Sequence, residues 1–205
     1  MEGFPKNIPK IEKVQQEESK IEKPQIKEGV DFVFEQHPEI SIIGTKEQYS
    51  EYLDSIFPES IVDSIVYHGG TLIDQDRGKD SFTGELGGKH GLYFTGSRSR
   101  AKAYIKSGSK DYQQRSTIHS ILLDIKNPLN KKIWGRWKFG LDKISDKELQ
   151  IIKDNNADGL IEKDFLSRFT QYNTQYVVLD MSQVFVLGSK NDTEAFKEFV
   201  KNKKS

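Results

Sequence analysis

Short apolar runs separated by polar or glycine-containing stretches recur along the chain from Val30 onward. Runs rich in Ile, Val and aromatic residues predict strands at residues 61–68, 91–95, 117–125, 158–162, 176–179 and 184–187. The pair Gly69-Gly70 is expected to end the first of these strands.

Apolar residues three and four positions apart predict helices between these strands. The first spans 45–57, with Thr45 as its N-cap and Pro58 after its end, and the second spans 97–105 with Ser97 as its N-cap. Helices are also expected over 146–155 and 193–202, and the last should turn Ala195, Phe196, Phe199 and Val200 inward. Because short helices interleave with strands at uneven spacing, the pattern predicts an α+β fold.

The first 28 residues differ in composition from the rest. They hold six lysines, six glutamates and three prolines, and they have too little aliphatic content to form a core. We therefore predict a disordered charged leader over 1–28 and a single domain over 29–205, since 205 residues with 35% hydrophobic content suit one domain.

The overall charge and the cysteine content limit which partners and which reactions the protein can have. The 31 basic and 31 acidic residues cancel, so no global field favours nucleic acid or a membrane, and the absence of cysteine removes thiolate chemistry. The four histidines have no metal-ligand spacing, and no run of about 20 apolar residues or signal-peptide core occurs. We expect a soluble cytoplasmic protein without a metal or a membrane partner, although delivery into a host cell would leave no mark of this kind.

Three segments carry the candidate chemistry: Tyr67-His68-Gly69, Tyr93 with Tyr104, and Gln175-Tyr176-Val177-Val178. Two tyrosines can stack on the nicotinamide ring of NAD, and a histidine at a strand end can donate to a ribose hydroxyl. A glycine beside it allows a ligand to approach the backbone. The chain has no G-x-G-x-x-G and no P-loop, so NAD would bind in another way.

These segments resemble the His-Tyr-Glu branch of the ADP-ribosyltransferase superfamily, which includes diphtheria toxin and the poly(ADP-ribose) polymerases. The similarity continues through Gly91-Leu92-Tyr93-Phe94 and Thr174-Gln175-Tyr176-Val177-Val178, and it covers about residues 40–190. The chain looks most like the bacterial and phage members associated with polyvalent proteins.

The resemblance implies a split β-sandwich of two antiparallel sheets with flanking helices, and NAD as the substrate in the crevice between the sheets. It also implies a mono-ADP-ribosyltransferase, a toxin or effector, acting on a protein or nucleic-acid acceptor. The residues carried over are His68, Tyr93 and Gln175 for catalysis, and His68, Gly69, Tyr93, Tyr104 and Gln175 for binding NAD.

Gln175 departs from the family pattern, which has glutamate there. A glutamine carbonyl can accept a hydrogen bond from the ribose but carries no charge, and charge-assisted bonds are about twice as strong. Two alternatives stay open: an NAD glycohydrolase with water as acceptor, and a weakened module that binds NAD or ADP-ribose without turnover.

Two segments and one set of basic residues are candidates for recognising the target or for covering the bound ligand. The glycine-rich segment 74–90 predicts a loop in which Phe82 either covers a ligand or enters the core. The segment 131–139 interleaves cations with both tryptophans, as in single-strand binding surfaces, or it is a packed hairpin. A basic run either meets the NAD pyrophosphate or is a solvated helix face; it comprises Arg98, Arg100, Lys102, Lys106, Lys110 and Arg115.

Overall fold

The computed structural model describes residues 25–70, 91–129, 146–163 and 174–203. Its helices are α1 Val30–Gln36, α2 Ile40–Ile43, α3 Lys46–Ile56, α4 Arg98–Ser107, α5 Lys110–Arg115, α6 Asp146–Asp154 and α7 Lys190–Lys203. Its strands are β1 Val66–Gly70, β2 Leu92–Thr95, β3 Thr117–Leu123, β4 Gly159–Lys163, β5 Thr174–Val178 and β6 Val184–Val186. The predicted loop over 74–90, the tryptophan segment 131–139 and the leader up to residue 24 lie outside the described residues.

The strands form one six-stranded sheet with the order β4-β5-β2-β1-β3-β6. Each neighbouring pair is antiparallel. This arrangement of helices and antiparallel strands confirms the α+β class. The register between β1 and β2 is defined by one residue pair, Tyr67 with Thr95, whereas β1 and β3 pair over five residues.

Side-chain caps set the starts of two helices where the sequence predicts them. The Thr45 hydroxyl accepts a hydrogen bond from the Gln48 amide, and the Gln48 side chain accepts one from the Thr45 amide. The Ser97 hydroxyl likewise accepts from the Arg100 amide at the start of α4. Both predicted caps are confirmed, because each depends on residues three positions apart.

The first strand differs from the prediction at both ends. It begins at Val66 rather than Ile61, and it contains Gly69 and Gly70, which pair with Ile118 and Thr117 of β3. Pairing with β3 on one side therefore outweighs the tendency of two glycines to end a strand.

Three hydrophobic clusters hold the fold together. One cluster packs α1, α3 and α7 against the sheet and includes the fully buried Val33, Tyr49 and Phe196. The second lies on the opposite face and includes Val66, Phe94 and Tyr176. The third packs α6 against β4 and β5 through Ile152, Leu160 and Val177.

The buried face of α7 is shifted from the predicted one. Phe196 and Val200 are buried and Phe199 is half-buried as expected, but Ala195 is exposed, and the buried stripe extends back to Asp192. Sequence periodicity misplaced this edge of the face because a charged residue at 192 counts as polar in any hydrophobic pattern.

Asp192 is buried because it accepts hydrogen bonds from two separate parts of the chain. Its Oδ2 accepts from the Tyr49 hydroxyl of α3 at 2.5 Å and from the Gly188 amide at 2.7 Å. Burial raises the pKa of the Asp192 carboxyl, and those hydrogen bonds oppose the rise. The carboxyl thus joins α3 to the start of α7 inside the first cluster.

Candidate functional site

The sheet brings the segments containing His68, Tyr93 and Gln175 onto three adjacent strands, whereas Tyr104 lies on α4. Gln175 on β5 pairs with Thr95 on β2, and Thr95 pairs with Tyr67 on β1. Segments far apart in sequence therefore meet within about 10 Å, since neighbouring strands lie about 4.8 Å apart.

Two of the predicted side chains share one face of the sheet. Tyr93 pairs with Val177 and Gln175 pairs with Thr95, and residues two apart on a strand point to the same side. Tyr93 is half-buried against the third cluster, so part of its ring belongs to the core. Gln175 is half-buried.

His68 takes the opposite face from Gln175. Its ring lies 5.7 Å from the ring of Phe94, centroid to centroid, and Phe94 belongs to the second cluster. The two side chains therefore flank β2 from opposite sides of the sheet. A sequence motif contains no information about this face, because the register of three strands decides it.

The environment of His68 defines its tautomer. Its Nδ1 lies 3.0 Å from the carbonyl oxygen of Tyr93, and a carbonyl can only accept, so Nδ1 carries the proton. Burial lowers the pKa of His68, and the hydrogen bond to Tyr93 opposes that effect. The ring is therefore neutral at pH 7, and its Nε2 can accept a hydrogen bond but cannot donate one.

A second histidine, His119, pairs directly with His68 across β1 and β3. Its Nε2 donates to the Gly70 carbonyl at 3.2 Å. Burial lowers the pKa of His119 to about 4, and the nearby His68 adds to the effect. The sequence gives no sign of this neighbour, because only the pairing of β1 with β3 brings His119 next to His68.

We expect acid to destabilise the protein through His119. Its folded pKa is below the unfolded value of about 6.5, so the unfolded chain binds the proton first as the pH falls. The free energy of unfolding should fall between about pH 6.5 and pH 4, by at most about 1.4 kcal/mol per pH unit from this residue. Urea unfolding across this range should show a shallower slope for His119→Gln, whose amide can still donate to Gly70. An equal slope in both proteins would contradict the assignment.

Gly69 has a packing role besides the ligand approach expected from sequence. A Cβ at this position would lie 1.9 Å from the carbonyl oxygen of Ala101 on α4. The missing side chain allows α4 to lie directly on β1. This contact also positions Tyr104, which is 45% exposed on the same helix.

A cleft of about 1030 Å³ opens beside the start of α4. Its walls include Phe32, Tyr67, Gly96, Arg98 and Lys102, and the Arg98 guanidinium stacks 4.4 Å over the Phe32 ring. Two residues of the predicted basic run, Arg98 and Lys102, therefore line the cleft. None of the described lining residues is one of the predicted site residues, but Gly96 directly follows Thr95, the partner of Gln175.

Glu162 on β4 is a second neighbour that no sequence motif indicates. Glu162 pairs directly with Gln175, and both side chains are half-buried. A glutamate in a short predicted strand is not a candidate site residue until the pairing of β4 with β5 places it opposite Gln175.

Comparisons with protein-family models, curated proteins and solved structures return no match. Across the described ranges, no helix has both the length and the apolar character needed to cross a membrane. Within those same ranges, no three acidic or histidine side chains are grouped so as to hold a metal ion.

Proposed function

We propose that the protein is a mono-ADP-ribosyltransferase that cleaves NAD between nicotinamide and ribose. One observation carries this proposal: the segments containing His68, Tyr93 and Gln175 lie on three adjacent strands at the centre of the sheet. If these three segments form one site, they must lie close together in the fold. No single motif requires this proximity, so finding it supports the proposal.

We also propose that the sheet is the split core of that fold. The single residue pair between β1 and β2 divides it into the halves β4-β5-β2 and β1-β3-β6. NAD would lie at the junction of the halves, against the face that carries Tyr93 and Gln175. His68, on the other face, would act through the Tyr93 carbonyl that its Nδ1 binds.

The proposed reaction assigns a role to each of these residues. Tyr93 and Tyr104 would stack on nicotinamide, and the Gln175 carbonyl would accept a hydrogen bond from the adjacent ribose. The bond from ribose C1′ to the ring nitrogen breaks with its electron pair going to nicotinamide. An acceptor heteroatom then bonds to C1′ and loses its proton to solvent.

Labelled NAD tests the proposal directly. Incubation of the protein with adenylate-labelled NAD and a bacterial lysate should release nicotinamide and label a protein or a nucleic acid. Free ADP-ribose without a labelled macromolecule would instead show a glycohydrolase. If the protein neither releases nicotinamide nor is thermally stabilised by NAD, the proposal is refuted.

The neutral side chain of Gln175 favours a second candidate, a module that binds NAD or ADP-ribose without turnover. Such a module would be stabilised thermally by NAD and would release no nicotinamide.

Tyr104 offers a clean test of ring stacking because it is exposed, so its replacement should leave the fold intact. Tyr104→Ala should raise the KM for NAD about 10-fold, the upper range for one aromatic pair of about 1.4 kcal/mol. Tyr104→Phe keeps the ring and should match the wild type. Steady-state nicotinamide release measures both, and an unchanged KM in the alanine variant would remove Tyr104 from the site.

A further inference from the structure

We infer that Glu162 supplies the carboxylate that position 175 lacks, and this inference rests on the proposed function. Glu162 faces Gln175 across the β4–β5 pair in direct register. Directly opposed residues of antiparallel strands have Cβ atoms about 4.5–5.5 Å apart and side chains on the same face. A carboxylate at 162 can therefore reach the region that a carboxylate at 175 would occupy.

The location of the pair agrees with this role. Glu162 and Gln175 continue a row through Thr95 to Tyr67, a lining residue of the 1030 Å³ cleft. Glu162 lies on the terminal strand of the described sheet and is half-buried, so its carboxylate is partly shielded from solvent. Partial burial strengthens the interaction of a charge with a developing cation.

The chemistry gives each residue a separate part. During cleavage, positive charge leaves the nicotinamide ring and develops on ribose C1′ and its ring oxygen. The Glu162 carboxylate stabilises that charge, while the Gln175 carbonyl accepts the hydrogen bond from the ribose hydroxyl. A family role usually carried by one glutamate is then divided between two neighbouring strands.

A simpler role for Glu162 is a charge that prevents edge-to-edge association of β4. That role predicts a change in aggregation or stability and no change in turnover. The experiment must therefore separate the rate of cleavage from folding and from NAD binding.

The test compares nicotinamide release by the full-length wild type and Glu162→Gln. We expect kcat to fall about 10²–10³-fold in the variant, the usual loss for one preorganised electrostatic group, with the Kd for NAD changed less than about threefold. Glu194→Gln is the matched control, since Glu194 is exposed on α7 and paired with Lys190. It should behave as the wild type.

Moving the carboxylate provides the decisive variant. Glu162→Gln combined with Gln175→Glu restores one carboxylate to the pair and should recover at least about 10-fold of the lost kcat. Full activity in Glu162→Gln would overturn the role of Glu162 and leave the proposed function standing. No nicotinamide release from the wild type would overturn both. Loss of thermal stability in Glu162→Gln without recovery in the double variant would show a structural role and overturn the inference.

Discussion

Gly69→Ala should displace α4 from the sheet and abolish the thermal stabilisation by NAD that the proposed function predicts. The added Cβ would lie 1.9 Å from the carbonyl oxygen and 2.6 Å from the carbonyl carbon of Ala101. Both atoms belong to the backbone, so no side-chain rotation relieves the clash, and the cost should be about 3 kcal/mol or more. For a chain of this size, Tm should fall by on the order of 10 °C.

Differential scanning fluorimetry with and without NAD measures this prediction. Gly108→Ala is the control, because Gly108 ends the same helix with φ −81° and ψ 175°, which alanine adopts readily. A Gly69→Ala protein with wild-type Tm and an intact NAD response would show that α4 does not need this close approach. Since α4 also carries Tyr104, the same contact links the packing of the domain to the proposed binding of nicotinamide.

Asp192→Ala should destabilise the protein by about 3–5 kcal/mol. The substitution leaves the buried Tyr49 hydroxyl and the half-buried Gly188 amide without their acceptor, and each unsatisfied group costs about 1–3 kcal/mol. Tyr49→Phe removes one donor and leaves the Gly188 bond, so it should cost less, about 1–3 kcal/mol.

Urea unfolding of the two single variants and the double variant measures the coupling. The double variant should be less destabilised than the sum of the single variants, because both changes remove the same hydrogen bond. Additive effects, or a loss below about 1 kcal/mol in Asp192→Ala, would show that the carboxyl does not join α3 to α7. Neither Asp192 nor Tyr49 is a proposed NAD-contacting residue, so these variants report on the fold separately from NAD chemistry.

The local features of the fold follow from contiguous residues. Thr45 and Ser97 cap their helices because each hydroxyl needs only an amide three residues later. The α+β class follows from runs of β-branched residues between amphipathic stretches. Where sequence analysis was wrong, a distant partner decided the outcome: β3 extends β1 through Gly69 and Gly70, and Tyr49 makes Asp192 part of the buried face of α7.

The sequence by itself determined the helix caps, the main strands, the mixture of helices and strands, and the residue types suited to NAD. Tertiary structure alone decided that His68 faces away from Gln175, that His119 lies beside His68, and that Glu162 lies opposite Gln175. The physical reason is the separation along the sequence of the residues that interact. Caps and periodicity depend on atoms a few residues apart, whereas strand order and register depend on packing between segments that meet only when the chain folds.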